Sequence, residues 1–391
     1  MLKNLRNRLS VAQDWYNSYK KEFKLVTNVT VKNGQLYHEL ELACKKHHDI
    51  LTYAEYLTID QFGDYGFYAT SKSHGKTDID LRWGLALAKY LQKNKHDTII
   101  EFGCGTGELG SAIIRAYRKL TNNPLSWIGV EIDKRIHEKI YKNFKDNKIN
   151  DCIRAIVATL DELPHLKNPL IVFPYSLDNI PPQIFLNTHM DNSYPNALLG
   201  ITAANGMISE TIISDDILRE KGMKLENGLF RQNSLIYKLS GWKLRKGQRL
   251  YISTDVFSTI YQCTKQFENP TLIIIDEFRK EPWSYDLGNL GTPKSLYEKN
   301  LSCNESERYY HESGSHNLYY PLYKESMYKF LSTFGFRSIE YEIEQKKAAE
   351  FSSRNWLSVK KNYATYAFIA KNFVAKDTKV LPVPSPQRKI L

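Results

Sequence analysis

The chain has 391 residues, of which 42% are hydrophobic and 25% are charged, a composition typical of a globular protein with a sizeable core. Its formal net charge is +11, but the lysines are spread along the chain without an arginine-rich arm, which argues against nucleic acid as a partner. Five cysteines without C-x-x-C spacing argue against a disulfide scaffold and a structural zinc site, and no apolar run is long enough to span a bilayer.

The N-terminal region, residues 1–80, is predicted as a helical cap on one side of the domain that follows. The periodicity of its apolar residues predicts helices over 11–23 and 37–56. Its first ten residues are basic but lack the continuous apolar stretch of a secretory signal. We therefore expect a cytoplasmic protein with reduced thiols, and a mitochondrial transit peptide is the second interpretation.

A core domain begins after the cap, and its first part is predicted over 81–200. The predicted elements are helix 81–91, strand 98–102, helix 108–120, strand 126–131, helix 133–146 and strands 153–157 and 169–173. This alternation implies a parallel sheet with right-handed crossovers. Ligands of such sheets gather beyond the carboxyl ends of the strands.

The most informative segment is the glycine-rich loop between the first strand and its helix. Gly103, Gly105 and Gly107 have no Cβ, so the backbone adopts unusual dihedral angles and approaches a bound molecule closely. Glu131 follows the next strand, at the spacing where a carboxylate binds ribose hydroxyls. Glu101, just before the loop, would repel a pyrophosphate but accepts hydrogen bonds from an ammonium group. These features predict an adenosine-containing cofactor, and an ordinary tight turn is the alternative.

The second half of the chain is predicted to combine an insertion with the rest of the core. After a helix over 181–186, short alternating segments with a turn at 226–228 predict a β-rich substrate cap, inserted over 201–250. The core resumes over 251–375, and the proline-containing tail 376–391 is predicted as disordered. The elements of this second part are helix 255–267, strand 271–275, a lid loop 279–315, helix 323–334 and strands 337–344 and 363–370.

The glycine-rich loop resembles motif I of class I S-adenosylmethionine-dependent methyltransferases, which implies an α/β, Rossmann-like fold with a seven-stranded sheet. In these proteins the acid before the loop and the glycines hold the methionine part, and the acid after the next strand holds the ribose. The two C-terminal strands resemble the hairpin that such enzymes add to the sheet. The implied cofactor is S-adenosyl-L-methionine, and the predicted binding residues are Glu101, Gly103, Cys104, Gly105, Gly107, Leu109, Glu131, Ile132, Asp161 and Tyr68.

Further segments are similar to the MidA-like family, a branch of these methyltransferases that includes a mitochondrial complex I assembly factor. The similar segments are 53–57, 64–68, 177–181 and 274–278. The resemblance extends over most of residues 50–345 and implies methylation of a protein side chain, with arginine first. The chain departs from the family at Pro174 and Tyr175, where the family has Asn-Glu, and at Asn317, near the Asp of a D-L-T segment.

Methyl transfer is an in-line displacement, so the protein must align the acceptor, exclude water and handle a proton. Asp178 and Tyr175, after the fourth strand, are best placed to touch the acceptor or the cofactor's amino group. His316, in the lid, is a candidate base. Alternatively, Asp178 caps a helix that begins near Pro181, and His316 is an ordinary surface residue. Asp161 either accepts a hydrogen bond from adenine or solvates its own loop.

The aromatic residues Tyr65, Phe67 and Tyr68 form a rim over the cofactor or belong to the core, and both interpretations stay open. We predict transfer of a methyl group to a nitrogen or oxygen atom of a protein side chain, without a metal. A small metabolite or a modified peptide is the alternative acceptor. A non-catalytic assembly factor that keeps the cofactor pocket is the alternative class of protein.

Overall fold

The structure is a computed structural model, and it describes residues 25–70, 83–187, 197–220, 225–226, 229–230, 249–252, 254–279, 289–290, 294–295, 310–315, 318–320, 322–343 and 364–373. Its helices are α1 (Gly34–Lys46), α2 (Tyr53–Phe62), α3 (Phe67–Thr70), α4 (Trp83–Asn94), α5 (Glu108–Leu120), α6 (His137–Asp146), α7 (Asp215–Glu220), α8 (Thr254–Gln266) and α9 (Lys324–Phe334). Its strands are β1 (Val29–Thr30), β2 (Leu51–Thr52), β3 (Thr98–Phe102), β4 (Ser126–Val130), β5 (Ile153–Val157), β6 (Leu170–Pro174), β7 (Gln183–Leu186), β8 (Ala197–Ala204), β9 (Met207–Ile212), β10 (Leu225–Glu226), β11 (Leu229–Phe230), β12 (Arg249–Ile252), β13 (Thr271–Arg279), β14 (Asn289–Leu290), β15 (Lys294–Ser295), β16 (Leu318–Tyr319), β17 (Leu322–Tyr323), β18 (Phe336–Ile343) and β19 (Ala364–Phe373).

The main sheet contains seven strands in the order β18-β19-β13-β6-β3-β4-β5, and the short β17 pairs with β13. Neighbouring strands from β13 to β5 are parallel, whereas β19 is antiparallel to both β13 and β18. The predicted seven-stranded sheet with a C-terminal antiparallel pair is therefore confirmed. The carboxyl ends of β3, β4 and β6 consequently meet at one edge.

The central strand β6 is apolar along its whole length because both faces of the sheet are covered. Leu170 and Val172 of β6 pack in a cluster with residues of α4 and α5 on one face. Ile171 and Phe173 pack on the other face, in a cluster with residues of α8 and α9. Successive side chains of a strand point to opposite faces, so a continuous apolar run is what a doubly covered parallel sheet requires.

A second sheet has the strand order β1-β9-β8-β7-β12-β14, with β2 paired to β8. β8 and β9 form a hairpin through Asn205 and Gly206, which both have positive φ, as type I′ turns require. The N-terminal region contributes two strands to this sheet, and Leu36, Leu40 and Tyr56 of α1 and α2 pack in one core cluster with residues of β7 and β8. β10 and β11 pair antiparallel on either side of the predicted turn at 226–228.

The predicted helix over 37–56 is wrong in its extent, because the chain leaves the helix and starts a second one. α1 ends at Lys46, and His48 and Asp49 adopt φ values of 59° and 61° before β2. α2 then begins with a capping box, in which the Thr52 hydroxyl accepts from the Glu55 amide and the Glu55 carboxylate accepts from the Thr52 amide. These paired hydrogen bonds stabilise a new helix start inside the apolar periodicity.

The predicted helix over 181–186 is also wrong, since this segment is the buried strand β7. β7 pairs antiparallel with β8 on one side and with β12 on the other. A short apolar run suits a buried strand as well as a helix, and its pairing partners decide between them. The predicted helix over 133–146 begins with a 3₁₀ turn, Lys134–Ile136, and continues as α6.

Three predicted segments lie wholly or mostly outside the described residues: helix 11–23, lid loop 279–315 and tail 376–391. The division into an N-terminal cap, a core and an inserted substrate region stays a prediction. Within the described part of the chain, no helix is long and apolar enough to cross a membrane.

Candidate active site

The glycine-rich loop follows β3 directly, and its glycines adopt backbone angles that other residues rarely take. Gly103, Gly105 and Gly107 have φ values of 60°, 52° and 75°. A Cβ on Gly103 would lie 2.7 Å from the Cβ of Ser176, in the segment after β6. The loop therefore approaches its neighbour more closely than any residue with a side chain would allow.

Glu131, at the end of β4, directs its carboxylate towards the loop. Oε2 accepts a hydrogen bond from the Gly105 amide at 2.9 Å, and Oε1 accepts one from the Asp133 amide at 3.0 Å. Burial raises the pKa of Glu131 to about 7, against the effect of these amides. The side chain of the next residue, Ile132, is 49% exposed. A hydrogen-bond acceptor and an open apolar surface thus lie side by side.

Glu101 is placed deeper than the sequence suggests. It is 1% exposed, and its Oε2 accepts a hydrogen bond from Trp127 Nε1 at 2.9 Å. The backbone amide of Gly110, in the first turns of α5, also donates to this carboxyl group. Burial, with a smaller contribution from the nearby charge of Glu131, raises the pKa of Glu101 to about 8. The contact between Glu101 and an ammonium group stays a prediction.

Three other predicted binding residues occupy different environments. Cys104 and Leu109 are buried, and both pack in the cluster under α4 and α5, so their side chains belong to the core. Burial raises the pKa of the Cys104 thiol well above its usual value, so the thiol stays protonated. Asp161 is exposed in a 3₁₀ turn whose capping carboxylate is Glu162, an acceptor from the Ala158 amide at 2.8 Å. Binding of adenine by Asp161 stays a prediction.

The segment after β6 turns sharply at Tyr175, whose φ is 47°. The Asn179 side chain stabilises this turn, because its Nδ2 donates to the Tyr175 carbonyl at 2.9 Å and to Asp178 Oδ1 at 3.0 Å. The Tyr68 hydroxyl of α3 donates to Asn179 Oδ1 at 3.0 Å. Three residues predicted from the sequence, Tyr68, Tyr175 and Asp178, are therefore brought together through a fourth.

Asp178 does not cap a helix, because the segment near Pro181 leads into β7, so that interpretation is wrong. Asp178 is 6% exposed, and its amide donates to Oδ2 of Asp276 at 3.3 Å. Asp276 lies in β13, next to β6, and is 0% exposed. Two buried carboxyl groups consequently lie near the carboxyl ends of adjacent strands.

Several polar residues at this edge were not predicted as site residues. Asp276 directly follows the apolar strand residues 272–275, and Asn179 is the neighbour of the predicted Asp178, so both could have been chosen. Asp60 and Tyr320 come from α2 and from the residues after β16, and no local pattern indicates them. His316 lies outside the described residues. Among the aromatic candidates, Phe67 is buried, as in a core, and Tyr65 is 40% exposed.

Two hydroxyl groups at the loop are buried without a hydrogen-bond partner in the described part of the chain. They are Thr106 Oγ1, within the loop, and Ser176 Oγ, opposite Gly103. Buried hydroxyls in native proteins nearly always have a partner. A polar ligand lying on the loop would provide one. Among the described residues, no group of three or more His, Cys, Asp or Glu side chains could hold a metal ion.

A parallel sheet with an antiparallel C-terminal pair, a glycine-rich loop after its first strand and a carboxylate after the next define the class I methyltransferase fold. The sequence model of one protein family, described as "Putative S-adenosyl-L-methionine-dependent methyltransferase", matches residues 82–318. Since this match extends over more than half of the chain, the protein belongs to that family. It is an S-adenosyl-L-methionine-dependent methyltransferase of the MidA-like kind that its sequence resembles.

Two solved structures from Burkholderia thailandensis have the same fold. An uncharacterized protein is 12% identical, with a TM-score of 0.60 over 90% of this chain and 95% of the other. A second protein, described as a "likely methyl transferase" bound to S-adenosyl-homocysteine, is 11% identical, with a TM-score of 0.58 over 82% of this chain and 81% of the other. No curated protein sequence matches the chain.

Proposed function

We propose that the loop over 103–107 and the residues after β4 hold S-adenosyl-L-methionine in this chain. In this proposal the Glu131 carboxylate accepts hydrogen bonds from ribose hydroxyls, and the exposed Ile132 packs on the adenine ring; the position of Glu131 against the Gly105 amide and the exposure of Ile132 support it. The hydroxyls of Thr106 and Ser176 supply hydrogen-bonding groups that lack a partner in the described structure. When bound, the cofactor supplies a methyl group on a positively charged sulfur.

The acceptor in this proposal is a nitrogen atom of a cationic protein side chain, with the guanidinium group of arginine as the leading case. The observation that carries it is the buried pair Asp178, in the segment after β6, and Asp276, in the adjacent strand β13. A cation bound beside two buried carboxyl groups favours their charged forms, in addition to the hydrogen bonds that they already accept. A guanidinium group is planar, keeps its charge and has five N–H donors, so it matches such a pair.

The same carboxyl groups are suited to the proton that a nitrogen acceptor loses. Asp178 is fixed from both sides, by Asn179 at Oδ1 and by Asp276 at its amide. A fixed carboxylate beside the acceptor orients an N–H group before transfer and takes its proton afterwards. Tyr68 extends this arrangement to α3 through its hydrogen bond to Asn179. Asp178 is therefore the catalytic residue of the proposal.

Transfer of isotopically labelled methyl groups to synthetic peptides tests this function. One peptide has a central arginine, and the matched peptides carry lysine or norleucine at that position. We expect label on the arginine peptide, and a loss of about 100-fold or more in kcat/KM for Asp178→Asn, the range that a positioned acid or base contributes. Asp146→Asn, the same change at an exposed residue of α6, is the control.

Label found only in the small-molecule fraction of a cell extract would overturn the proposed acceptor and identify a metabolite methyltransferase. Release of S-adenosylhomocysteine in the same reaction reports the methyl transfer itself, whatever the acceptor is. An Asp178→Asn variant that keeps full activity on the arginine peptide would remove the catalytic role of that carboxylate.

A further inference from the structure

Tyr320 is a buried tyrosine whose hydroxyl has no hydrogen-bond partner among the described residues. Its side chain is 1% exposed, and its backbone amide donates to the carbonyl of Asp178 at 2.6 Å. This hydrogen bond joins the segment after β16 to the segment after β6. Tyr320 is therefore fixed beside the proposed acceptor side of the active site.

The groups around the Tyr320 hydroxyl come from three parts of the chain. Asp60 and Tyr56 belong to α2, Tyr68 belongs to α3, and Asp178 follows β6. Burial first, and then the charges of these neighbours, raise the pKa of Tyr320 well above its usual value. The hydroxyl consequently keeps its proton at neutral pH and is both a donor and an acceptor of hydrogen bonds.

Asp60 is held in place independently of Tyr320. Its Oδ1 accepts a hydrogen bond from the Gly314 amide at 2.7 Å, and its Oδ2 accepts one from Gln61 Nε2 at 2.7 Å. The Tyr320 hydroxyl is close enough to Asp60 and Asp178 to sense their charge, yet it forms a hydrogen bond with neither. Such spacing is expected where a polar ligand binds between the Tyr320 hydroxyl and the carboxylates of Asp60 and Asp178.

An unpaired buried hydroxyl lowers the stability of a folded protein, and phenylalanine would fill the same space without that loss. Tyr261 shows the contrast, because its hydroxyl is also buried without a partner in the described structure, but it lies on α8 and packs against Phe334. Tyr261 packs only in the core cluster of α8 and α9. Tyr320 packs with Tyr56 in another core cluster, but its amide is bonded to the Asp178 carbonyl, and the charges of Asp60 and Asp178 reach its hydroxyl. The position of the Tyr320 hydroxyl thus points to a ligand.

We propose that the Tyr320 hydroxyl contacts the methyl acceptor and holds its N–H group against Asp178. The hydroxyl oxygen accepts a hydrogen bond from the acceptor, and the hydroxyl proton is directed to a carboxylate, Asp60 or Asp178. Tyr320 thereby becomes an acceptor-binding residue that selects for a group with several N–H donors. This inference rests on the proposed function for the choice of acceptor used in its test.

The test compares Tyr320→Phe with Tyr261→Phe in the full chain, since both variants remove one buried hydroxyl. We expect both to unfold at the wild-type temperature or above, and both to bind S-adenosylhomocysteine with wild-type affinity in calorimetry. With the arginine peptide as acceptor, Tyr320→Phe should lose about tenfold to 100-fold in kcat/KM, the cost of leaving buried polar groups unpaired in a bound complex. Tyr261→Phe should keep wild-type kinetics.

Equal kcat/KM for Tyr320→Phe and wild type would overturn the contact with the acceptor. A clearly lower unfolding temperature for Tyr320→Phe would also overturn it, because the hydroxyl would then be bonded within the protein. If the wild-type protein labels a small molecule instead of the peptide, the arginine proposal fails alone. The two variants are then compared on that molecule, where a loss confined to Tyr320→Phe supports the contact and equal rates refute it.

Discussion

Replacing Glu101 with glutamine is expected to remove a loss of stability that the wild-type protein suffers as the pH rises. Glu101 is completely buried, and burial raises its pKa from 4.5 to about 8. Between these two values the folded protein holds a proton that the unfolded chain has released. The free energy of unfolding therefore falls with rising pH across this window, and the contribution is complete only below the unfolded pKa.

The size of this effect follows from the pKa values, since one pKa unit corresponds to about 1.4 kcal/mol. Relative to acid pH, Glu101 lowers the free energy of unfolding by about 1.4 kcal/mol at about pH 5.5 and by about 4.6 kcal/mol at about pH 8.5. Glutamine keeps an oxygen that accepts from Trp127 Nε1 but has no charge to bury. The advantage of Glu101→Gln over wild type should therefore grow by about 3 kcal/mol across this range.

Urea unfolding of both proteins at the two pH values measures this difference directly, and the exposed Glu138→Gln on α6 is the matched control. The control should follow wild type at both pH values. A difference between Glu101→Gln and wild type that is the same at both pH values would refute the reasoning. It would mean that Glu101 is ionised in the folded protein despite its burial.

Two further substitutions have defined outcomes. Gly103→Ala should weaken S-adenosylhomocysteine binding at least about tenfold in calorimetry, because it adds backbone strain of about 1–3 kcal/mol and brings a Cβ within 2.7 Å of the segment after β6. Gly206→Ala, at a φ of 79° in open space, is the control for backbone strain alone. Equal binding by both variants would contradict the steric argument. Glu210→Gln should lower the free energy of unfolding by about 3 to 5 kcal/mol, because it removes the buried carboxylate that pairs with the Arg249 guanidinium. Asp151→Asn, which breaks the exposed ion pair with Arg118, should lower it by less than about 1 kcal/mol. Similar losses in the two variants would contradict the importance of burial for the Glu210–Arg249 pair.

The main sheet could be predicted from the sequence because each of its strands is recognisable from the residues of that strand and of the loop after it. β6 is a continuous apolar run, β3 begins with one that Glu101 interrupts, and the residues after such strands lie at the ligand-binding edge in any parallel sheet. The glycine-rich loop and Glu131 could be placed for that reason. The segment that forms β7 could not, because two prolines before a short apolar run suit a helix start, and its partner β12 lies far along the chain.

The acceptor side of the site depends on how distant segments meet, and local patterns do not contain this information. Asp60 lies in a helix whose nine other residues are predominantly buried, so nothing distinguishes its carboxylate from a structural one. Tyr320 lies at the site because its backbone amide donates a hydrogen bond to the Asp178 carbonyl. The depth of Glu101 was missed because its partner, Trp127, looks in sequence like one more apolar residue of a strand.

The second sheet has a consequence for how the chain folds as it is synthesised. α1 and α2 are made early, yet the strands on which they pack, β7 and β8, follow the first four strands of the main sheet. β1 can pair only after β9, which follows β8, has been synthesised. The apolar faces of the first two helices therefore stay open while the nascent chain emerges, and such surfaces favour aggregation and slow folding. The N-terminal helices of this enzyme therefore complete their packing only after the middle of its chain has been synthesised.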